Sequence, residues 1–190
     1  MVYGDEKIAM ILNSHKSEIS GDLENGLFIK EELFHFKRRG LCSNEISMMV
    51  PLRFVIPEKD YLELNYKNEV PDNVFCYKSR DMVLEAKAIP DVLQETTIEQ
   101  EIELVKQSIK KINPGIVTYQ KEELQVEKIQ IGIFDYKITL FNNSIYQMLI
   151  LIHKDNCRYQ LTFSCNIHDA KIWRQVLKLM IETIHSEDDI

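Results

Sequence analysis

Two cysteines and two histidines near the C-terminus are of the residue types that bind zinc. Cys165 and His168 are three residues apart, and His153 and Cys157 precede them along the chain. A tetrahedral zinc site would need both thiolates and both imidazoles to meet at one point. Cys157 and Cys165, however, share one face of a single predicted strand, about 26 Å apart at the usual rise per residue. One ion cannot bind both, so we interpret them as small apolar core residues and predict no metal site.

The same region contains residue types that catalyse acyl transfer, namely Cys165, His168 and Asp169 as nucleophile, base and orienting acid. No glycine accompanies them to form an oxyanion hole, and Asp169 suits the positive end of the following helix. The six glycines of the chain form no phosphate-binding loop. The sequence therefore predicts no catalytic residue, no cofactor and no enzymatic activity. Two groups of glutamates are interpreted as solvated surface rather than as a glycosidase-like acid pair: Glu99, Glu101, Glu103 and Glu122, Glu123, Glu127.

A proline-bounded segment is the best candidate for a partner-binding surface. Pro51 and Pro57 bracket it, and proline cannot donate to a strand ladder, so the chain there is extended or turning. Apolar side chains that this segment leaves exposed would form a docking patch. The predicted partner-binding residues are Leu52, Phe54, Val55, Tyr61 and Leu62. Four other aromatic residues are interpreted as core or core edge, with a partner-binding surface as the alternative: Tyr136, Tyr146, Tyr159 and Trp173.

The strands that must position these residues follow from the hydrophobic pattern. Residues 81–88 alternate apolar and polar side chains, which is typical of a half-buried antiparallel strand. Ser144 to Lys154 is apolar on both faces, which predicts a central strand covered on both sides. Asp155-Asn156 then makes a hairpin turn into the next strand. The predicted strands are 28–37, 46–50, 73–78, 81–88, 116–125, 130–141, 144–154 and 157–165.

Two helices complete the predicted elements. An apolar stripe at steps of four and three residues predicts a helix from Thr97 to Ile112. Thr96 and Glu99 fit a capping box at its start. A second amphipathic helix is predicted from His168 to His185. Together these elements predict an α+β fold, in which an antiparallel sheet runs into a C-terminal helix and is flanked by helices.

The overall composition limits the partners. The net charge is −7, whereas a nucleic-acid-binding domain is usually basic. The single basic run, Lys37-Arg38-Arg39, is interpreted as solvated. No apolar run approaches the length of a membrane helix, and the N-terminus lacks the pattern of a signal peptide. We therefore expect a cytoplasmic protein with reduced cysteines that binds neither membranes nor nucleic acid. Its expected domains are a peripheral segment, 1–26, and a single domain, 27–190.

Several short motifs in residues 45–186 resemble those of the PsbP-like α/β/α sandwich superfamily. They are Met48-Met49-Val50-Pro51, Pro71-Asp72-Asn73-Val74-Phe75, Ile109-Lys110-Lys111-Ile112-Asn113-Pro114, Gly132-Ile133-Phe134-Asp135-Tyr136-Lys137, and Leu161-Thr162-Phe163-Ser164-Cys165 followed by Trp173. The superfamily includes photosystem PsbP proteins, the Ran-GTPase release factor, DcrB lipoproteins and chaperones of type VI secretion effectors. In detail the motifs are most similar to an uncharacterised group from Gram-positive bacteria.

The resemblance implies a non-enzymatic adaptor or chaperone that binds another protein and is linked to a bacterial secretion system. Its motifs are structural, so they bear on the fold more than on the function. Two alternatives stay open at this point. One is a structural subunit that forms a homodimer, and the other is an enzyme whose site the sequence does not reveal.

Overall fold

The computed structural model of the chain describes residues 18–67, 69–90, 96–141 and 143–186. Within these ranges the chain forms twelve strands and three α-helices. The strands are β1 (Ile19–Asp22), β2 (Gly26–Ile29), β3 (Glu32–Phe34), β4 (Phe36–Leu41), β5 (Ile46–Pro51), β6 (Asn73–Tyr77), β7 (Met82–Ile89), β8 (Val117–Val126), β9 (Ile129–Thr139), β10 (Ser144–Lys154), β11 (Cys157–Asn166) and β12 (His185–Ser186). The helices are α1 (Lys59–Asn65), α2 (Ile98–Ile112) and α3 (Ala170–Ile181).

A six-stranded sheet forms the centre of the molecule, with the strand order β6-β7-β11-β10-β9-β8. Every neighbouring pair in it is antiparallel. The predicted central strand, Ser144 to Lys154, is confirmed as β10, which pairs with β9 on one side and β11 on the other. Asp155 in the following turn has a φ of 52°, a conformation that aspartate tolerates better than most residues.

Each face of this sheet is covered by a different helix, which the sequence pattern does not assign. On the outer face, Leu149 and Leu151 pack with Ile98 and Ile102 of α2. On the inner face, alternate residues of β10 pack into the main core with α3. Burial of each large aliphatic side chain contributes about 1.5–3 kcal/mol. The α+β fold with helices flanking an antiparallel sheet is thus confirmed.

The inner core is organised around the indole ring of Trp173 on α3. The ring stacks on Phe163 of β11 at 5.7 Å between centroids and meets Phe34 of β3 edge-on at 5.7 Å. Phe54, between β5 and α1, lies 5.5 Å away. Such aromatic pairs add about 0.5–1.5 kcal/mol each beyond their area burial. Four separate parts of the chain are therefore held at one point.

Two small sheets lie beside the central one, in the orders β1-β2-β3 and β12-β5-β4. The prediction of a single strand at 28–37 is wrong. The structure turns back at Lys30 and Glu31, whose φ values are 49° and 68°, so β2 and β3 form a hairpin. Successive positive φ values make the tight turn that fits strand twist. Lysine and glutamate give no turn signal, so the pattern missed it.

For the next turn, Arg39-Gly40 and Ser43-Asn44 both carry turn chemistry, and the structure uses the second pair. Arg39 and Gly40 lie inside β4, opposite Met48 and Ser47 of β5. The chain reverses instead at residues 42–44, all three of which have positive φ. The strand predicted at 46–50 is confirmed as β5, and the strands predicted at 73–78 and 81–88 are confirmed as β6 and β7.

The helix ends needed correction. The capping box of α2 joins Thr97 and Gln100, through contacts of 3.3 and 3.1 Å, rather than Thr96 and Glu99. The C-terminal helix ends at Ile181 rather than His185. Thr183 competes with further helical bonding, because its hydroxyl donates to the Met180 carbonyl at 2.6 Å and accepts from the Met49 amide. The chain then continues as β12, paired with β5.

Two further expectations concern the domain division and membrane-spanning helices. The predicted division into 1–26 and 27–190 stays a prediction: residues 1–17 lie outside the described ranges, and β1 at 19–22 pairs with β2. None of the helices in the described ranges is long and apolar enough to cross a membrane.

Gly132 on β9 lies directly under the side chains of α2. A Cβ atom there would lie 2.6 Å from Ile102 Cδ1 and 2.9 Å from Ile98 Cγ1. We predict that Gly132→Val lowers the free energy of urea unfolding by about 1–3 kcal/mol, because the helix must move outward. The control is Gly115→Ala, whose nearest neighbour is Asn113 Oδ1 at 3.5 Å, with an expected change within about 0.5 kcal/mol. Equal losses in both variants would contradict this packing.

Candidate functional site

The proline-bounded segment is held firmly against the six-stranded sheet. The Val55 amide donates to the Cys76 carbonyl at 3.0 Å, and the Cys76 amide donates back to Val55 at 2.8 Å. This bridge attaches the segment to β6, an edge strand of the sheet. Helix α1 follows directly. The side chains of the segment are therefore presented by fixed backbone rather than by a loose loop.

The five predicted partner-binding residues separate into two groups. Phe54 is only 1% exposed and packs on Trp173, so it belongs to the core and is not accessible to a partner. Leu52 and Val55 are half-exposed. Tyr61 and Leu62 are half-buried. The bracketing prolines carried no information on which side chain of the segment turns inward, and the role of the segment in partner binding stays a prediction.

Further exposed apolar residues in the same stretch escaped the sequence reasoning. Ile56 is 70% exposed and Leu64 is 74% exposed, although both are large aliphatic residues. None of the residues of α1 is buried, so its short apolar pattern does not indicate a core-facing stripe. We call the exposed set the 52–70 patch. Its members are Leu52, Val55, Ile56, Leu64 and Val70.

Two tyrosines attach α1 to strands β6 and β7 of the sheet. The Tyr66 hydroxyl donates to Glu85 Oε1 on β7. Burial, followed by this hydrogen bond and the charge of Glu85, raises the pKa of Tyr66 well above its usual value. Burial, and then a hydrogen bond with Cys76, raises the pKa of Tyr61 to about 12. Both hydroxyls stay protonated at neutral pH, so Tyr61 supports the patch rather than titrating within it.

Arg39 on β4 contacts the proline-bounded segment at Phe54. Its Nη2 donates to the Phe54 carbonyl at 3.0 Å, and its guanidinium lies 4.9 Å from the ring centroid of Phe75. Its Nε atom is buried and has no acceptor among the described residues. Burial lowers the pKa of Arg39. The basic run was interpreted as solvated, which is correct for Lys37 and Arg38 but wrong for half-buried Arg39.

A second polar site lies at the opposite edge of the sheet, around Asp135. This carboxylate is 1% exposed and follows Ile131 and Ile133 on the inner face of β9. It accepts from the Tyr146 hydroxyl at 2.9 Å and from Arg174 Nε at 2.6 Å. A buried charge is costly unless it is paired and hydrogen-bonded, and here it is both.

Asp135 also shapes edge strand β8. Thr118 pairs with Tyr136 and Lys121 pairs with Phe134, so two residues of β8 oppose the single residue Asp135. This is a β-bulge, which re-aims side chains at a sheet edge. The amide of Gln120 in the bulge donates to Asp135 Oδ1 at 3.0 Å. The sequence signal for this cluster was Asp135 itself, an acid at an inward-facing position that follows two inward-facing isoleucines.

The two donor side chains of the Asp135 cluster keep their protons at neutral pH. Burial, followed by the charge of Asp135, raises the pKa of Tyr146 far above its usual value. Burial alone would lower the pKa of Arg174, but its hydrogen bond to Asp135 and the nearby charges raise it instead. The phenol and the guanidinium therefore both remain donors at neutral pH.

A cavity of about 490 Å³ opens beside this cluster, between β8 and the first turns of α3. Its lining residues are Tyr119, Gln120, Asp135, Tyr146, Ile167, Ala170, Lys171 and Arg174. A larger cavity of about 740 Å³ lies at the N-terminal end of α2, but no buried charged residue lines it.

The cysteine and histidine candidates do not assemble into a site. Cys157 is exposed at the start of β11, next to the hairpin turn, so its interpretation as a core residue is wrong. Cys165 is buried, and burial raises the pKa of its thiol to about 12. Asp169 pairs with Lys30 at 2.8 Å. Across the described parts of the chain, His, Cys, Asp and Glu side chains form no group of three or more that could hold a metal ion.

Comparison with solved structures identifies the fold. The chain is similar to cyanobacterial PsbP (CyanoP) from Synechocystis sp. PCC 6803, with a TM-score of 0.58, 9% identity, and coverage of 80% of this chain and 92% of that one. It therefore has a PsbP-like fold, as the motifs predicted. At such low identity the likeness defines the fold and not the activity.

Weaker similarities exist to two further proteins. One is LpqN, involved in cell envelope biogenesis of Mycobacterium tuberculosis, with a TM-score of 0.43, 8% identity and coverage of 90% and 86% of the two chains. The other is the type VI secretion immunity protein TplEi of Pseudomonas aeruginosa in complex with a peptide. Its TM-score is 0.40 and its identity 8%, with coverage of 96% of this chain and 83% of that one. No family model and no curated protein matches the chain, and membership of the Gram-positive group stays a prediction.

The core position of Phe54, in contrast to half-exposed Val55, can be tested by alanine substitution. We predict that Phe54→Ala lowers the free energy of unfolding by about 3–5 kcal/mol, because it removes a ring from the Trp173 cluster. Val55→Ala, at a half-exposed position, should cost less than about 1 kcal/mol. Urea unfolding followed by tryptophan fluorescence measures both. Similar losses in the two variants would argue against a core position for Phe54.

The buried phenol of Tyr146 makes stability sensitive to alkali. Because folding raises its pKa, its contribution is complete below about pH 10, the usual tyrosine value, and declines as the pH rises further. We predict that Tyr146→Phe makes the decline of unfolding free energy above that pH shallower by up to about 1.4 kcal/mol per pH unit. Urea titrations at successive pH values provide the measurement. An unchanged slope would show that the hydroxyl ionises normally in the folded protein.

Proposed function

We propose that this chain is a non-enzymatic protein-binding module, an adaptor or chaperone of the cytoplasm, that docks a partner segment on the 52–70 patch beside Arg39. One observation carries the proposal. A half-buried guanidinium without a carboxylate partner in the described residues adjoins a stretch of exposed aliphatic side chains. Arginine is enriched at the energetic centres of protein interfaces, and exposed apolar patches often mark interaction sites.

Two arginines, Arg38 and Arg39, have no carboxylate partner in the described residues, and of these only Arg39 is half-buried. Four of the six arginines pair with carboxylates of the chain, as follows: Arg53 and Arg80 with Glu32, Arg158 with Glu101, and Arg174 with Asp135. In the described residues Arg39 pairs with none, although the net charge of the whole chain is −7. The surface is therefore suited to a partner that supplies an acid.

The expected partner segment combines apolar and acidic side chains. Its apolar groups would cover Ile56 and Leu64, whose exposure is otherwise unfavourable. An aspartate or glutamate beside them would accept from Arg39 Nη1, which donates to no described acceptor. A planar guanidinium favours such a carboxylate over other acceptors.

The chemistry of the buried polar groups supports a binding rather than a catalytic role. The oxygens of Asp135 already accept three hydrogen bonds. Because burial raises the pKa of Cys165 to about 12, its thiol is protonated and a poor nucleophile at neutral pH. A link to a bacterial secretion system rests on the motif resemblance to effector chaperones and is part of this proposal.

A peptide-display selection tests the partner chemistry directly. Random peptides are first depleted on the Arg39→Gln/Ile56→Asp double variant and then selected on the unaltered protein. We expect the enriched peptides to combine Leu, Ile or Phe with a neighbouring Asp or Glu. Their affinity, measured by fluorescence anisotropy, should fall at least about tenfold in Arg39→Gln, because a hydrogen bond to a charged group is lost.

Matched controls lie on helix α2. Lys110→Gln removes one positive charge, as Arg39→Gln does. Leu104→Asp introduces an acid at an exposed aliphatic residue, as Ile56→Asp does. Neither control should weaken peptide binding. Enriched peptides without acidic residues, or equal loss in the control variants, would refute the proposal. So would light scattering that shows a dimer which Ile56→Asp dissociates, since the patch would then join two copies of this chain.

A further inference from the structure

The cavity beside Asp135 has the size and composition of a small-ligand site and is separate from the 52–70 patch. Ligand-binding cavities usually measure about 300–1,000 Å³ and are mostly apolar, with a few polar groups that orient the ligand. This one measures about 490 Å³. Its apolar walls come from Tyr119, Tyr146, Ile167 and Ala170. It is bounded by edge strand β8, β10 and the start of α3.

The walls of the cavity are organised before any ligand arrives. Asp135 holds Gln120 of the bulge, Tyr146 of β10 and Arg174 of α3 by one hydrogen bond each. The bulge places the half-exposed ring of Tyr119 at 6.5 Å from the ring of Tyr146. A site fixed in this way loses little conformational entropy on binding, which favours affinity.

The donors that remain at the cavity are cationic. Arg174 uses Nε for Asp135, and Nη2 for Gln120 and Glu122, whereas Nη1 donates to no described acceptor. Lys171 is exposed and forms no ion pair within the described ranges. Two of the three charged side chains that line the cavity are therefore cationic, while the single acid, Asp135, already accepts three hydrogen bonds. Behind the lining, Glu122 pairs with both Arg174 and Lys178. Together these five groups leave one excess positive charge, which a monoanionic ligand would balance.

We infer that the cavity binds a carboxylate carried on an apolar, preferably aromatic, body. The carboxylate accepts from Lys171 and Arg174 Nη1, and the apolar body lies against Tyr119 and Tyr146. Two sources share this chemistry: a small organic acid, and the C-terminal carboxylate of a protein that ends in an apolar residue.

Amide-resolved NMR titration of the full chain tests this inference with paired probes. The first pair is 3-phenylpropionate and its neutral amide, 3-phenylpropanamide. We expect the acid to shift the backbone amide signals of Tyr119, Gln120 and Lys171, and to bind at least about tenfold more tightly than the amide. The second pair is a short peptide ending in phenylalanine, with a free or an amidated C-terminus. Tighter binding of the free peptide than of the small acid identifies a protein terminus as the source, and the reverse identifies a small acid.

Variants separate a true site from general charge attraction. Lys171→Gln should weaken binding of the acid about two- to fivefold, as expected for a solvent-exposed ion pair. Tyr119→Ala should also weaken it, whereas Lys110→Gln on α2 carries the same change of charge and should have no effect. Equal binding of acid and amide, equal effects of both lysine variants, or no shifts at millimolar probe would overturn the inference. None of these outcomes depends on the 52–70 patch, so the two proposals can fail independently.

Discussion

The packing of the Trp173 indole against three phenylalanines is the interaction on which the rest of the structure depends. Phe34, Phe54 and Phe163 reach it from a hairpin, a connecting segment and the central sheet. Such distant parts of the chain can be held together only if the rings share one desolvated space. Because Phe54 turns inward to join this cluster, the neighbouring Leu52 and Val55 remain at the surface. The core thus determines what the surface presents.

A second constraint is the buried carboxylate of Asp135. An acid on the inner face of a sheet is tolerated only with its hydrogen bonds satisfied. The donors come from α3, β10 and the bulge of β8, so satisfying the charge also fixes the relative positions of these elements. A bulge at an edge strand further discourages pairing with another chain. The cavity beside Asp135 is a consequence of this arrangement.

The two candidate surfaces lie at opposite edges of the six-stranded sheet. The proline-bounded segment is attached to β6, and the cavity adjoins β8. Of the four strands between them, β9 and β10 carry the buried residues that pack under α2 on the outer face. Because a fold does not imply a function, we propose that the chemistry that distinguishes this chain lies in residues beside these edges, such as Arg39 of β4 and Lys171 of α3.

The amino-acid sequence by itself determined the elements whose burial repeats with a regular period. Strand β10, apolar on both faces, and helix α2, with its single stripe, were predictable because period and burial are local properties. Turns without glycine or asparagine could not be predicted from the sequence, as the hairpin at Lys30 and Glu31 shows. The prolines marked a candidate partner-binding segment, yet the sequence did not distinguish inward Phe54 from outward Val55.

Only the tertiary structure decided which distant residues meet. Phe54 contacts Trp173, and Asp135 contacts Arg174, although long stretches of chain separate the members of each pair. No periodic pattern records such contacts, because they depend on how separate elements cross and pack. The same holds for Arg39, whose half-buried charge results from the approach of Phe54 and Phe75. Local periodicity therefore determined the elements, and long-range packing decided which of their side chains are available for function.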